Sequence, residues 1–282
     1  MLWLAAQAFG DRVTVLSVDH GLRPEAAAEC ATVAALTDGL GVGHATLTLA
    51  DRPGPGNIQA EARDARYAAM AGWCRDRGIG FLLTAHHADD QAETLLLRLA
   101  RGSGLGGLAG IRRAQRLQGI MVLRPLLEWR RAALADAMVP SGWAVADDPS
   151  NHDPRFDRTQ ARSLLAREPF LKPGRLASAA GFLAEAEDAL GWAAERAWSS
   201  RATTIDGGIL IDPEGLPAEL QRRLLLRGLA ALGHTAASGP DIARLLVRLA
   251  DGGSGTSGGV KVRALGDGRW RLSAAPLRRT GV

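Results

Sequence analysis

Up to about residue 101, short apolar runs alternate with helical patterns: helix 2–9, strand 12–18, helix 24–39, strand 43–49, helix 58–77, strand 80–85 and helix 89–101. Strands that each lead into a helix cannot pair as tight hairpins, so they lie parallel and are joined by helical crossovers that cover the sheet. The chain is therefore α/β. Its opening is irregular, because a doubly wound domain normally starts with the strand that feeds its first ligand-binding turn, and this alternation starts with a helix.

Ligands of such sheets sit outside the carboxyl ends of the strands, which directs attention to the residues where each apolar run stops. The run Leu82-Leu83 stops at Thr84-Ala85-His86-His87-Ala88-Asp89-Asp90-Gln91-Ala92-Glu93-Thr94. Asp89 or Asp90 is placed to cap the following helix, and Asp90 and Glu93, three apart, share one of its faces. Acids are common in a first helical turn because the helix dipole favours them, and a lone histidine is usually a satisfied polar group. Two histidines, two aspartates and a glutamate within residues 86–93 favour a functional cluster over that bland account.

With 46% hydrophobic and 23% charged residues, the chain of 282 residues has the composition of a globular protein rather than a disordered one. Its net charge is +4, and the only lysines are Lys172 and Lys261, so the basic surface is almost wholly arginine. Guanidinium forks match phosphate, so a nucleic-acid partner is permitted, although a high arginine share also arises from codon usage. No Gly-Lys-Ser/Thr occurs, which excludes a kinase-type P-loop. Cys30 and Cys74 lie in separate helical patterns without Cys-x-x-Cys spacing, which points to buried free thiols and a cytoplasmic protein. The apolar start lacks a basic leader, and no run reaches membrane-spanning length, so neither export nor a membrane partner is expected.

Beyond residue 101, Gly102-Ser103-Gly104-Leu105-Gly106-Gly107-Leu108-Ala109-Gly110 follows a helix, the wrong context for a dinucleotide fingerprint, and is read as a flexible loop near the site. Residues 120–127 form a short strand, 129–138 a helix, Asp147-Asp148-Pro149-Ser150-Asn151 a turn, and 158–166 a helix with Arg158 and Arg162 one turn apart. Glu168-Pro169 and Lys172-Pro173-Gly174 break the pattern and divide the chain into domains 1–170 and 171–282. The second holds a long helix 175–200, a strand 205–211, helices 217–232 and 240–250, a Gly/Ser-rich loop 252–259 and two terminal strands, a smaller and mainly helical domain.

Several motifs agree with one family. Val18-Asp19-His20-Gly21-Leu22-Arg23-Pro24, Glu61-Ala62-Arg63-Asp64-Ala65-Arg66-Tyr67, the His86–Thr94 cluster, Arg101-Gly102-Ser103-Gly104-Leu105, Arg124-Pro125-Leu126 and Arg158 through Arg162 stand in the order seen in tRNA(Ile)-lysidine synthetases. The resemblance covers about residues 1–165, and 216–250 is similar to that family's second domain, which implies that 171–282 is a mostly helical tRNA- or substrate-binding domain. It implies an adenine nucleotide α-hydrolase-like sheet of the N-type ATP pyrophosphatases, here without its first strand. The implied reaction is ATP-dependent ligation of free L-lysine to the wobble cytidine of tRNA(Ile) bearing a CAU anticodon, through an adenylated tRNA, with Mg²⁺ on the phosphates and a homodimer permitted.

The resemblance implies His86, Asp90 and Arg158 as catalytic residues and Arg66, Asp90 and Glu93 as lysine contacts. It implies Asp19, His20, His86, Arg101 and Gly102 as ATP contacts, with no resident metal. Simpler roles stay open: Arg66 in a helical ion pair, Asp19-His20 as a turn cap, Arg162 in solvent or on RNA phosphate. Thr159 stands where the family usually has Asn, and the family's Ser-Gly-Gly-x-Asp-Ser loop is not found ahead of the first helix. That loop and its strand are expected upstream of Met1. Two rival readings remain: a metal-dependent hydrolase using His86, His87, Asp89 and Asp90, and a tRNA-binding protein without catalysis.

Overall fold

The computed structural model describes residues 1–19, 25–49, 58–143, 157–234 and 239–275. His20 and the turn at 147–151 fall outside them. Two compact units divide the chain, Met1–Ala184 and Glu185–Val282.

In the first unit, helix α1 (Leu2–Phe9) precedes strand β1 (Thr14–Asp19), helix α2 (Glu25–Gly39), strand β2 (Gly43–Thr48) and helix α3 (Ile58–Asp76). Strand β3 (Phe81–Leu83), helix α4 (Ala88–Ala100) and a short helix α5 (Leu105–Leu108) follow, then the hairpin β4 (Ala114–Leu117) and β5 (Ile120–Leu123). Helices α6 (Arg131–Met138), α7 (Asp157–Arg167) and the start of the long α8 (Pro173–Arg201) complete it. Strands β1 and β2 run parallel, as do β3 and β5, which is the outcome the helical crossovers require. Strand β4, not anticipated from its polar sequence, pairs antiparallel with β5 across a two-residue turn in which Gln118 and Gly119 both have positive φ, 49° and 85°.

The two parallel pairs are separate sheets, β1-β2 and β3-β5-β4. Helix α3 covers both, because Tyr67, Met70, Ala71 and Cys74 form one apolar cluster with Ile120 and Val122, against which Leu16, Val18, Leu47 and Leu82 pack. Strands β1 and β3 line a common apolar cleft of about 610 Å³, shared with Leu2 of α1 and Trp73 of α3. The Gly-rich stretch after α4 is not the flexible loop expected. Gln91 accepts from the Ile111 amide at 2.6 Å and donates to its carbonyl at 3.2 Å, and Arg98 donates to the Gly107 and Gly110 carbonyls. Gly110 needs to be glycine there: its φ is +68°, and a Cβ would lie 2.5 Å from Gln91 Oε1.

The second unit contains the remainder of α8, then β6 (Ala202–Ile205), β7 (Gly208–Ile211), α9 (Ala218–Ala231), α10 (Gly239–Ala250), β8 (Ser254–Ser257), β9 (Val260–Ala264) and β10 (Trp270–Ala274). The expected helices are present, accompanied by an antiparallel five-stranded sheet of order β6-β7-β10-β9-β8. The single strand 205–211 is in fact a hairpin, turned at Asp206-Gly207 where Gly207 takes φ +70°, and the Gly/Ser-rich loop contains β8. Ile242, Leu245 and Leu249 of α10 and Leu224, Leu225 and Leu229 of α9 cover one sheet face, packing on Ile209, Ile211, Val260, Val262, Trp270 and Leu272. Both cysteines are free and buried. Among the described residues, no helix is long and apolar enough to cross a membrane.

Candidate active site

The histidine-acid cluster lies where β3 hands over to α4. His87 is the N-cap of α4: its ring accepts from the Asp90 amide at 3.4 Å, and Asp90 Oδ2 accepts from the His87 amide at 3.0 Å, a reciprocal capping box. Asp89 turns the other way. Its carboxylate accepts from Arg130 Nε (3.1 Å) and Nη2 (2.9 Å) and from the Arg131 amide at 2.8 Å, fastening α6 to the start of α4. Burial pushes the Asp89 carboxyl upward, but the Arg130 fork and that amide outweigh it and hold its pKa below the ordinary carboxylate value.

Glu93, one turn on, is 3% exposed and faces two arginines of α7: Arg162 Nε lies 2.8 Å from Oε1 and Arg158 Nε 3.5 Å from Oε2. A carboxylate this deeply buried needs such compensation, and it fixes α7 against α4. The Glu93 hydrogen bond raises the already high pKa of Arg162. Asp89 and Asp90 both lie within 4 Å of the His87 ring, but their oxygens are engaged by Arg130, the Arg131 amide and the His87 amide, and Glu93 faces α7 instead. His86, His87, Asp89 and Asp90 do not converge as the metal-hydrolase reading requires. Among the described residues no group of three or more His, Cys, Asp or Glu side chains is placed to hold a metal ion.

His86 behaves differently from its neighbour. Its Nδ1 meets Thr84 Oγ1 at 2.9 Å, and desolvation lowers its pKa from the ordinary 6.5 to about 4. Asp90 pulls upward, while the positive charges of Arg124, Arg63 and Arg158 reinforce the fall. The imidazole is therefore neutral near pH 7 and lies in the positive field of three guanidinium groups. Arg124, at the carboxyl end of β5, is the most confined of these, 2% exposed. Its Nη1 donates to the Arg112 carbonyl at 2.7 Å, but its Nε is buried without a hydrogen-bond partner. A buried guanidinium with an unmet donor is costly unless an anion completes it.

Three of the expected site residues, His86, Asp90 and Glu93, come together with Arg158, and Asp19 stands at the carboxyl end of its own strand β1. Arg66 is drawn toward the Tyr67 ring, 6.0 Å from its centroid, with its pKa lowered by burial and by neighbouring Arg63. Arg101 and Gly102 are not brought to His86: α4 separates them by about 20 Å of helix, and Arg101 instead pairs with Asp157 at the start of α7. Arg63 and Arg124 were missed as site residues. Arg124 had a legible signal, a lone charge ending the apolar run Ile120-Met121-Val122-Leu123 where a parallel strand presents its carboxyl end.

Residues 1–168 match a family model described as a PP-loop domain. The chain is 47% identical to a tRNA(Ile)-lysidine synthase of Novosphingobium aromaticivorans over 94% of its own length and 82% of the relative's. It is 40% identical to a tRNA(Ile)-lysidine synthase of Zymomonas mobilis subsp. mobilis, over 96% and 83% of the two chains. Among solved structures, the U34-tRNA thiolase NcsA from Methanococcus maripaludis with its [4Fe-4S] cluster superposes with a TM-score of 0.52. That match has 14% identity and covers 66% of this chain and 68% of that one, a likeness of fold alone.

Proposed function

As the chain belongs to the tRNA(Ile)-lysidine synthase family and carries its PP-loop domain, we propose that the pocket around His86 is where ATP and lysine meet the wobble cytidine of tRNA(Ile). The observation that carries this reading is the buried Arg124 at the carboxyl end of β5, whose Nε has no partner, together with a His86 kept neutral by burial and by the positive charges of Arg124, Arg63 and Arg158. That donor set fits a polyphosphate, whose oxygens would satisfy the orphaned donor and offset the crowded positive charge. A Mg²⁺ ion has no ready-made protein cage among the described residues.

In the proposed reaction the cytidine O2 attacks the α-phosphorus of ATP and pyrophosphate leaves with the electron pair of the broken P–O bond. The lysine ε-amine then adds at C2, and AMP departs as the C2–O bond breaks. His86, neutral before ATP arrives, donates from the ring nitrogen not engaged by Thr84 and gains a proton more readily once phosphate charge lies beside it. Arg158 stabilises charge developing on the phosphates. Asp90 receives the lysine ε-ammonium and takes up its proton as the amine attacks. Arg66 is assigned the lysine carboxylate, and Glu93 works with Asp90 while holding Arg158 and Arg162 in place.

Labelled lysine incorporation into tRNA(Ile) tests the assignment. Asp90→Asn keeps an oxygen for the capping box but removes the charge opposite the ammonium. It should raise the KM for lysine by roughly tenfold to a hundredfold, leaving that for ATP nearly unchanged. Glu93→Gln should lower kcat as well, since Arg158 loses its anchor. Wild-type lysine dependence in both variants would refute the lysine site, and tRNA binding without any incorporation would favour the non-catalytic reading.

A further inference from the structure

Thr84 sits just past the last paired residues of β3 and β5. The ladder pairs Leu83 with Leu123, and beyond it the Thr84 amide donates to the Leu123 carbonyl at 3.0 Å. That amide is satisfied and His87, not Thr84, caps α4, so the threonine hydroxyl has no backbone duty. It meets the neighbouring ring instead: Oγ1 lies 2.9 Å from Nδ1 of His86, and among the described residues this is the hydroxyl's one hydrogen bond. Valine, with the same β-branched shape, would serve the strand equally well.

A hydroxyl and a neutral imidazole can share such a bond in two ways. With the ring proton on Nε2, Thr84 donates to the Nδ1 lone pair and both groups are satisfied. With the proton on Nδ1, the ring donates to Oγ1, and the hydroxyl proton is left without an acceptor among the described residues. The second arrangement also leaves Nε2 as an acceptor, which repels a phosphate oxygen, whereas Nε2–H donates to one.

We propose that Thr84 is a positioning residue for the lysidine reaction: its hydroxyl donates to Nδ1 of His86 and holds the ring as the Nε2–H tautomer, the form that can donate to the phosphates of ATP. The inference rests on the reading of the pocket given above and adds the group that prepares His86 for it. Burial and the charged groups acting on the ring, Asp90 of α4, Arg124 after β5, Arg63 of α3 and Arg158 of α7, decide whether it is charged. The hydroxyl decides which nitrogen of the neutral ring carries the proton. Its support is rigid, because a β-branched side chain has few rotamers and the Thr84 backbone is tied to β5. Strand β5 thus fixes the partner of His86 through Leu123 and presents the buried Arg124 from the very next residue.

The test uses the full chain labelled with nitrogen-15 histidine at pH 7, where the ring nitrogen shifts report the tautomer and His86→Asn identifies the signals. Wild type should show a protonated Nε2 and a hydrogen-bonded, unprotonated Nδ1. Thr84→Val should move those signals toward a mixture of tautomers. It should lower kcat for labelled lysine incorporation by roughly threefold to tenfold and leave the KM for lysine unchanged. Thr84→Ser keeps the hydroxyl and should recover the wild-type shifts and most of kcat, which a role in packing alone would not allow. A protonated Nδ1 in wild type would overturn the proposal. So would wild-type shifts and kcat in Thr84→Val, or a serine variant as impaired as the valine one. If wild type incorporates no lysine, yet its Nε2–H tautomer is seen and is lost in Thr84→Val, the hydroxyl's hold on the ring stands and the lysidine reading falls.

Discussion

His86 links the site's electrostatics to the stability of the fold. In the folded protein its pKa is lowered to about 4, mainly by burial, while the unfolded chain regains the ordinary 6.5. Between those values the unfolded state binds more protons, so this residue's contribution is fully present above pH 6.5, diminishes as pH falls, and is lost below about 4. Urea midpoints measured from pH 7.5 to 4 should therefore drop more for wild type than for His86→Asn, and parallel curves for the two proteins would show that the ring is not held neutral. The same logic gives the site its sensitivity to ligand. An anion that pairs with Arg124, Arg63 and Arg158 removes the charges that suppress His86 protonation and leaves Asp90, which favours it. Neighbouring His87 sits next to the same acids but is spent on capping α4, which is how adjacent identical residues acquire different roles.

At the level of elements, opposite consequences of one substitution follow from packing. Gly228 lies in α9 where an added Cβ would come 2.6 Å from Leu272 Cδ2 and 3.1 Å from Ile211 Cδ1, both in a fully buried cluster. Gly191 lies in α8 with nothing within 4 Å of the same atom. Gly228→Ala should destabilise by about 1–3 kcal/mol through overpacking, less the helix propensity gained. Gly191→Ala should stabilise by about 0.5–1 kcal/mol, and denaturation of both variants checks the sign of each. Periodicity made the long helices and the parallel strands legible, since α4 and α10 repeat their apolar residues at helical spacing. Hairpins were less legible. Strand β4 is an exposed edge with the sequence Ala-Gln-Arg-Leu, and β8 is Ser-Gly-Thr-Ser, so neither shows alternation, and both exist because a partner strand supplies the ladder. Asp206-Gly207 was the readable signal, a two-residue turn that splits one apparent strand into two. In the site, the acids at 89–93 were visible but their partners were not. Arg130, Arg158 and Arg162 reach them from 41 to 69 residues away, and no local pattern reports such pairings.

Across the whole molecule, the two units differ in how completely their sheets are enclosed. The second closes its core with α9 and α10 on one face and leaves the other face polar, a stable arrangement for an antiparallel sheet. In the first, parallel strands β1 and β3 belong to different sheets and line an apolar cleft of about 610 Å³, close to which Phe81 is 64% exposed. Parallel sheets occur almost only with both faces covered and their strands paired, because each unpaired edge presents backbone donors and acceptors that another chain can take up. The first unit should therefore bind an apolar dye such as ANS and associate as concentration rises, whereas the second should contribute to neither. Charge placed in the cleft discriminates: Leu82→Lys should reduce dye fluorescence severalfold and shift light scattering toward monomer, while a matching exposed change on the second unit, Val247→Lys, should alter neither. If dye binding followed Val247 and ignored Leu82, the open sheet would not be the source. Seating an extended apolar segment between β1 and β3 should suppress both signals in the same way, because it would cover the cleft and pair the two edges without altering a side chain of the site around His86.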